Sequence, residues 1–332
     1  MASRKRVNSL PLLQVEGVSV RFGGINALTD VTIDADRGYV TGLMGPNGAG
    51  KTTIFNVITG LQEPTSGRVI VEGKDVTSSG THQRARLGFA RTFQRLEVFG
   101  TLTARENVLV AAEIRKRWSK DKASDPEKDT DALLERVGIA HIAGDRVDAM
   151  PTGLARLVEL ARALAARPRI LLLDEPGSGL DHEESEVFGD LLLELAKEGL
   201  AILMVEHDVP LVMRVCERIH VLDFGKKIAE GTAAEIQADP KVQAAYLGED
   251  EAGSPAEDAE TIAELIHEHE VNHTALPPIH RALPGEGELA PHLPVDFPEP
   301  QYLADGSAPT PAGARSKSDA RPRRQPLKAP GR

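Results

Sequence analysis

The chain has 332 residues, 41% of them hydrophobic and 27% charged, which is the composition of a globular protein with a sizeable core. A formal charge of -11 argues against a general nucleic-acid binder. The single cysteine, Cys216, rules out an intrachain disulfide and reads as a buried, inert thiol among apolar neighbours.

No apolar run approaches the length of a membrane span. Met1 to Arg6 is basic, but the apolar stretch after it is broken by Pro11 and Gln14, and no signal peptide is expected. Membrane association should then be peripheral or through a partner.

In chain order, Leu12 to Arg21 and Leu28 to Ile33 read as strands, with Phe22-Gly23-Gly24 as the turn between them. Phe22 could stack on a nucleotide base or pack in the core. Tyr39 to Met44 is an apolar run that reads as a buried strand. Gly45-Pro46-Asn47-Gly48-Ala49-Gly50-Lys51-Thr52-Thr53 follows it and leads into a helix through Leu61. This matches the phosphate-binding pattern G-x-x-x-x-G-K-[ST] in its required setting between strand and helix. The glycines let backbone N–H groups turn inward toward phosphate oxygens, and the helix adds its positive N-terminal end. Lys51 can reach the β- and γ-phosphates of a nucleotide, and the Thr52 hydroxyl can ligate magnesium.

Gly67 to Val71 is a short strand, and Phe89 to Phe93 is strand-like and leads to Gln94. Helical patterns dominate from Thr103 to Val137, broken by the charged segment Ser119 to Asp129, and return from Leu154 to Ala166. Ile170 to Leu173 is a continuous apolar run of a strand buried on both faces. It ends in Asp174 and Glu175, two acids at the strand edge where ligands bind in open α/β sheets. Asp174 is suited to hold magnesium and Glu175 to polarise a water. Ala201 to Val205 is another buried strand, and it places His207 on the same ligand side. Arg218 to Asp223 and Lys226 to Ala229 form a last strand pair around Phe224-Gly225. Strands alternating with helices indicate a mostly parallel sheet.

Composition changes after Gly248. Residues 249–332 hold 13 of the 22 prolines, and Glu249 to Glu270 carries nine acids with no Lys or Arg. The stretch from Arg315 to Arg332 is basic. Such a segment is expected to stay disordered, apart from a short helix near Ala259 to His267. His267, His269 and His273 could bind a metal or form part of a solvated acidic face. The basic end could touch anionic lipid or simply be solvated.

The ordered set Phe22, Gly45–Thr53, Gln94, Met150–Leu154, Leu171–Glu175, Gly179-Leu180-Asp181 and His207 resembles the ATP-binding subunits of ABC transporters, over residues 11 to 248. Within that family the chain is most similar to the branched-chain amino-acid (Liv-type) importer ATPases. Arg21-Phe22-Gly23-Gly24, Ala90 to Gln94, Leu222 to Gly231 and Ala245-Tyr246-Leu247-Gly248 carry that likeness, and lipopolysaccharide-export ATPases share parts of it. The resemblance implies an α/β phosphate-loop NTPase of the ABC ATPase fold. It would have a mainly parallel core sheet, an antiparallel β subdomain, an inserted helical subdomain over about 95–165, and a separate tail at 249–332.

The resemblance also implies roles. ATP and Mg2+ would be the cofactors. Phe22 would stack on adenine, and Gly45, Pro46, Asn47, Gly48, Ala49, Gly50, Lys51, Thr52 and Thr53 would hold the phosphates. Gln94 would ligate magnesium or water and sense a membrane subunit. Asp174 would support magnesium, Glu175 would act as general base, His207 would contact the γ-phosphate, and Asp181 would lie at a dimer seam. Two such domains would close on two ATP molecules beneath a permease, at the cytoplasmic face of the membrane, with an external solute-binding protein as indirect partner. An export-type ATPase, or an interaction protein that binds ATP with little hydrolysis, is the alternative.

One motif departs from the family pattern Leu-Ser-Gly-Gly-Gln (Leu-Ser-Tyr-Gly-Gln in the Liv type). Here the aligned residues are Met150-Pro151-Thr152-Gly153-Leu154. Pro151 has neither hydroxyl nor N–H to offer phosphate. A charge-assisted hydrogen bond lost there is worth about 1.5–3 kcal/mol. In the transition state that is about tenfold to a hundredfold in rate. The expectation is an asymmetric heterodimer with a second Liv-type ATPase, although a homodimer is also open. Thr152 could partly replace the serine or serve as a helix cap.

Overall fold

The computed structural model describes residues 11–119 and 123–247. The chain starts with a long antiparallel hairpin, β1 (Leu13–Phe22) and β2 (Ile25–Ala35). Their pairing continues to Phe22 opposite Ile25, so both strands run further toward the turn than the side-chain pattern indicates. Exposed residues such as Asn26 carry no alternation signal, but their backbone still joins the ladder. With β4 (Ser66–Val71) and β5 (Lys74–Asp75) the hairpin makes a four-stranded sheet in the order β2-β1-β4-β5, all antiparallel.

The second sheet has six strands. They are β3 (Val40–Met44), β6 (Phe89–Arg91), β7 (Ile170–Asp174), β8 (Ala201–Val205), β9 (Arg218–Asp223) and β10 (Lys226–Gly231), in the order β10-β9-β3-β8-β7-β6. All pairs are parallel except the β9–β10 hairpin. Every residue of β3, β7 and β8 is buried. Their alternate side chains enter two different cores: Leu171, Leu173, Ile202 and Met204 on one face, Ile170, Leu172, Ala201 and Leu203 on the other. That two-sided burial is why these strands read as unbroken apolar runs.

Helix α1 (Lys51–Thr59) sits in the core shared by the two sheets, burying Ile54, Phe55, Val57 and Ile58 there. Arg84, on the short helix α2 (Thr81–Arg86) and 1% exposed, closes its far end by donating to the carbonyls of Val57 and Ile58. On the other face pack α3 (Ala104–Trp118), α4 (Pro126–Arg136) and α5 (Thr152–Ala165), followed along the chain by α6 (His182–Lys197) and α7 (Val209–Val215). The break expected at Ser119 to Asp129 is shorter than the sequence indicates, because Pro126 takes the first position of α4 and residues 126–129 are helical. The described chain ends in α8 (Ala233–Gln237) and α9 (Pro240–Leu247). The fold is the α/β arrangement expected, with a mainly parallel sheet, an antiparallel sheet and a helical layer.

Strand β6 is shorter than the sequence indicates. Phe93 leaves the ladder because its backbone finds side-chain partners on α5: its N–H points to Glu159 Oε1 at 3.3 Å and its carbonyl accepts from Arg156 at 2.7 Å. Among the described residues no helix is long and apolar enough to cross a membrane. The expected tail helix and the histidines at 267, 269 and 273 lie outside the described residues.

Candidate functional site

β3 delivers the chain to Gly45, whose φ of 145° no side chain tolerates well. A Cβ there would stand 2.1 Å from the Leu222 carbonyl, and one on Gly50 would stand 2.6 Å from Leu28 Cδ2. Close packing therefore demands glycine at both positions, against backbone at Gly45 and chiefly against a side chain at Gly50. Gly50 caps α1 without any side-chain acceptor, and the first turn of α1 holds no acid. Its leading N–H groups and its positive end are left for an anion. Asn47, Gly48 and Thr52 are exposed at this mouth, while Lys51 is 8% exposed. The Lys51 ammonium lies back on its own loop, donating to the Gly45 carbonyl and, at 3.0 Å, to the Pro46 carbonyl.

Across from this loop, the ends of β7 and β8 and the segment after β6 bring three side chains together. Glu175 Oε1 accepts from Gln94 Nε2 at 3.0 Å and lies 3.2 Å from His207 Nε2. Glu175 adopts φ 51°, a left-handed value uncommon for a non-glycine residue, and its N–H is held by the Val205 carbonyl at 2.9 Å. Asp174, beside it, is 2% exposed. Its carboxylate pairs with Arg91 at 2.9 Å, and its N–H donates to the Thr92 hydroxyl at 3.2 Å. Arg91 also donates to Asn56 of α1 at 2.7 Å and lies over the rings of Phe55 and Phe93. Glu206 stays buried behind His207. Burial pushes its carboxyl above the ordinary range, against the opposing pull of the Gly177, His207 and Asp208 N–H groups.

This arrangement fits a nucleotide with a hard divalent cation. The loop and helix end present N–H donors and an ammonium to phosphate. The Thr52 hydroxyl, the Gln94 amide and the Asp174 and Glu175 carboxylates are oxygen donors of the kind magnesium takes alongside phosphate and water. Phe22 is 50% exposed at the end of β1, which excludes the core-packing alternative.

The altered segment lies at the start of α5. Pro151, not Thr152, is the N-cap, and no side chain caps this helix. Thr152 instead turns its methyl to Gly179, and a Cβ on Gly153 would meet Leu180 Cδ2 at 2.9 Å. Leu154, where the family has glutamine, packs against the helical core. Asp181 caps α6, accepting from the Glu184 N–H at 2.8 Å.

Sequence reasoning passed over two supports of the site. Arg91 is a lone cation in a strand of apolar residues, which was a usable signal. Arg156 and Glu159 form a buried pair at 3.0 Å on α5 that holds the Gln94 segment by the Phe93 and Gln94 carbonyls. On a helical wheel they are indistinguishable from surface charges.

Sheet order, phosphate loop and acidic strand end together define a nucleotide-binding cassette of the ABC class. A family described as "ABC transporter" matches residues 28–178, and one described as "Branched-chain amino acid ATP-binding cassette transporter" matches residues 226–252. The high-affinity branched-chain amino acid transport ATP-binding protein LivG of Salmonella typhimurium is 38% identical over 253 residues, covering 73% of this chain and 99% of LivG. Its counterpart BraF of Pseudomonas aeruginosa is 36% identical over the same length, covering 73% of this chain and 99% of BraF. The lipopolysaccharide export system ATP-binding protein LptB of Haemophilus influenzae is 34% identical over 240 residues, covering 72% of this chain and 98% of LptB. Among solved structures, the ADP conformation of MJ1267, an ATP-binding cassette of an ABC transporter, superposes with a TM-score of 0.65 at 31% identity, covering 72% of this chain and all of that one. A dimeric post-hydrolysis state of the cassette MJ0796, bound to ADP and phosphate, gives 0.60 at 27% identity, covering 67% of this chain and 98% of that one. The chain belongs to the branched-chain amino-acid family of ABC transporter ATP-binding subunits, which hydrolyse ATP.

Proposed function

We propose that this chain powers import of branched-chain or related amino acids, from the cytoplasmic face of the membrane, as one half of an ATPase heterodimer. The observation that carries the reading is the gathering of Gln94 and His207 on one oxygen of Glu175, beside Asp174 and facing an intact phosphate loop. Once drawn off the Gly45 and Pro46 carbonyls, Lys51 binds the β- and γ-phosphates, and the amides at the start of α1 orient them. Mg2+, held by Thr52 and Gln94 with Asp174 in support, would supply charge neutralisation at the phosphates. Glu175 takes the proton of the attacking water, and His207 steadies the γ-phosphate. Phe22 offers a half-exposed ring to adenine.

The match at residues 226–252 and the LivG and BraF likeness favour amino-acid import over an export system of the LptB kind. Pro151 and Leu154 support the heterodimer, because an ABC signature completes the site of the opposite subunit and this one offers no serine hydroxyl. The same departure is what favours a second reading, a nucleotide-dependent interaction protein with little hydrolysis. Reconstitution with the permease and binding protein tests both. Leucine uptake driven by ATP, abolished by Glu175→Gln, is expected. Uptake unaffected by that substitution contradicts the proposed role.

A further inference from the structure

The phosphate loop is held from behind by the end of the described chain. The N–H of Gly45 donates to the hydroxyl of Tyr246, 201 residues later, at 2.9 Å. The carbonyl of the same Gly45 accepts from Lys51. β9 closes on this peptide directly, since the Leu222 carbonyl leaves no room for even a methyl group on Gly45. The Gly225 N–H in the next turn donates to the Ala49 carbonyl at 3.1 Å. The loop is thus fastened at both ends by residues between 222 and 246.

Gly45 is buried, so its amide needs a partner inside the protein. Tyr246 supplies one. Its ring packs against the core that contains Met44, Val221 and Val242, and this packing fixes where the hydroxyl sits. The geometry has a consequence for ligand binding. Lys51 must leave the Gly45 carbonyl to reach phosphate, and the Gly45–Pro46 peptide then loses that inner hydrogen bond. The preceding Met44–Gly45 peptide, which carries the Gly45 N–H, stays fastened to the Tyr246 hydroxyl, and this anchors the entry to the loop whose amides follow.

We propose that Tyr246 is a positioning residue for the phosphate loop, holding the Met44–Gly45 peptide at the loop's entry in place while Lys51 moves from its own loop to the nucleotide. This rests on reading Gly45–Thr53 as the nucleotide loop. The role is not that of a contact to nucleotide; it acts through the Gly45 amide.

The test uses the full-length chain with Tyr246→Phe, which keeps the ring and removes the hydroxyl. Calorimetric titration with ADP should show Kd raised about tenfold, the weight of one hydrogen bond. Hydrogen exchange of the peptide spanning Met44 to Gly50 should quicken in the nucleotide-free protein. Unchanged Kd overturns the proposal, whether or not thermal stability falls, because a purely structural tyrosine would lower stability alone. Should the Phe variant not fold, Val242→Ala loosens the seat of α9 while keeping the hydroxyl. A weaker Kd in that variant supports the proposal and an unchanged one overturns it. Lys51→Ala serves as the control. If it too leaves ADP affinity unchanged, the reading of the loop has failed; if it weakens binding and Tyr246→Phe does not, only the role of Tyr246 has failed.

Discussion

Glu175 occupies a backbone angle that a non-glycine residue adopts at a cost of about 1–3 kcal/mol. At φ 51° it turns the chain sharply at the end of β7, and the turn delivers its carboxylate to Gln94 and His207. Strain at this one position is compensated by the buried strands on either side, which fix both the Glu175 N–H and the Asp174 N–H. Stability and activity should therefore part company here. Glu175→Gly relieves the angle and is expected to leave the protein as stable as before, or up to about 1 kcal/mol more so, while ATP turnover disappears. Urea denaturation beside an ATPase assay checks this. A clear loss of stability would show that the carboxylate holds the fold rather than serving the site. Asp174 differs in kind. It is buried against Arg91, so its charge is balanced before any cation arrives.

At the scale of elements, α5 links the altered segment at its start to the Gln94 segment along its side. Arg156 and Glu159 make that link through backbone groups of residues 93–97. Glu159→Ala leaves the guanidinium of Arg156 buried without its carboxylate and should cost about 3 kcal/mol. Replacing the pair with Arg156→Met and Glu159→Leu should recover much of that stability. Hydrogen exchange over residues 93–97 is nonetheless expected to remain fast in the double variant. Slow exchange there would mean that the segment orders itself without α5.

The same elements show what could be read beforehand. β3, β7 and β8 were legible because strands buried on both faces leave unbroken apolar runs, and the loop at Gly45–Thr53 because its glycines are required, Gly45 and Gly50 by close contacts and Gly48 by its φ of 79°. Phe93 was misplaced in a strand because its partners are charged side chains 63 and 66 residues away. Arg156 and Tyr246 were invisible as site residues for a related reason. Each acts through hydrogen bonds to backbone groups far away in sequence, and no local periodicity encodes such a pairing. Thr152 as a cap was a sound local expectation, but Thr152 is the first helical residue and Pro151 takes the N-cap position.

For the molecule as a whole, the proposal makes the phosphate loop and the gathered Gln94, Glu175 and His207 half of an ATPase site. The half it would lend to a partner is the weaker one: Pro151 brings no hydroxyl, and Leu154 is turned inward to the helical core. The proposed reading is an asymmetric pair, in which the site built on Lys51 and Glu175 would work with the partner's signature and the opposite site would work poorly. The most direct test compares ATP turnover of this chain alone with turnover of the assembled transporter containing its second ATP-binding subunit. The account predicts turnover at least about tenfold slower for the chain alone, from the loss of one phosphate contact per site. It also predicts that Glu175→Gln in this chain abolishes most of the activity of the assembly. Equal turnover by the chain alone, itself lost on Glu175→Gln, would contradict it.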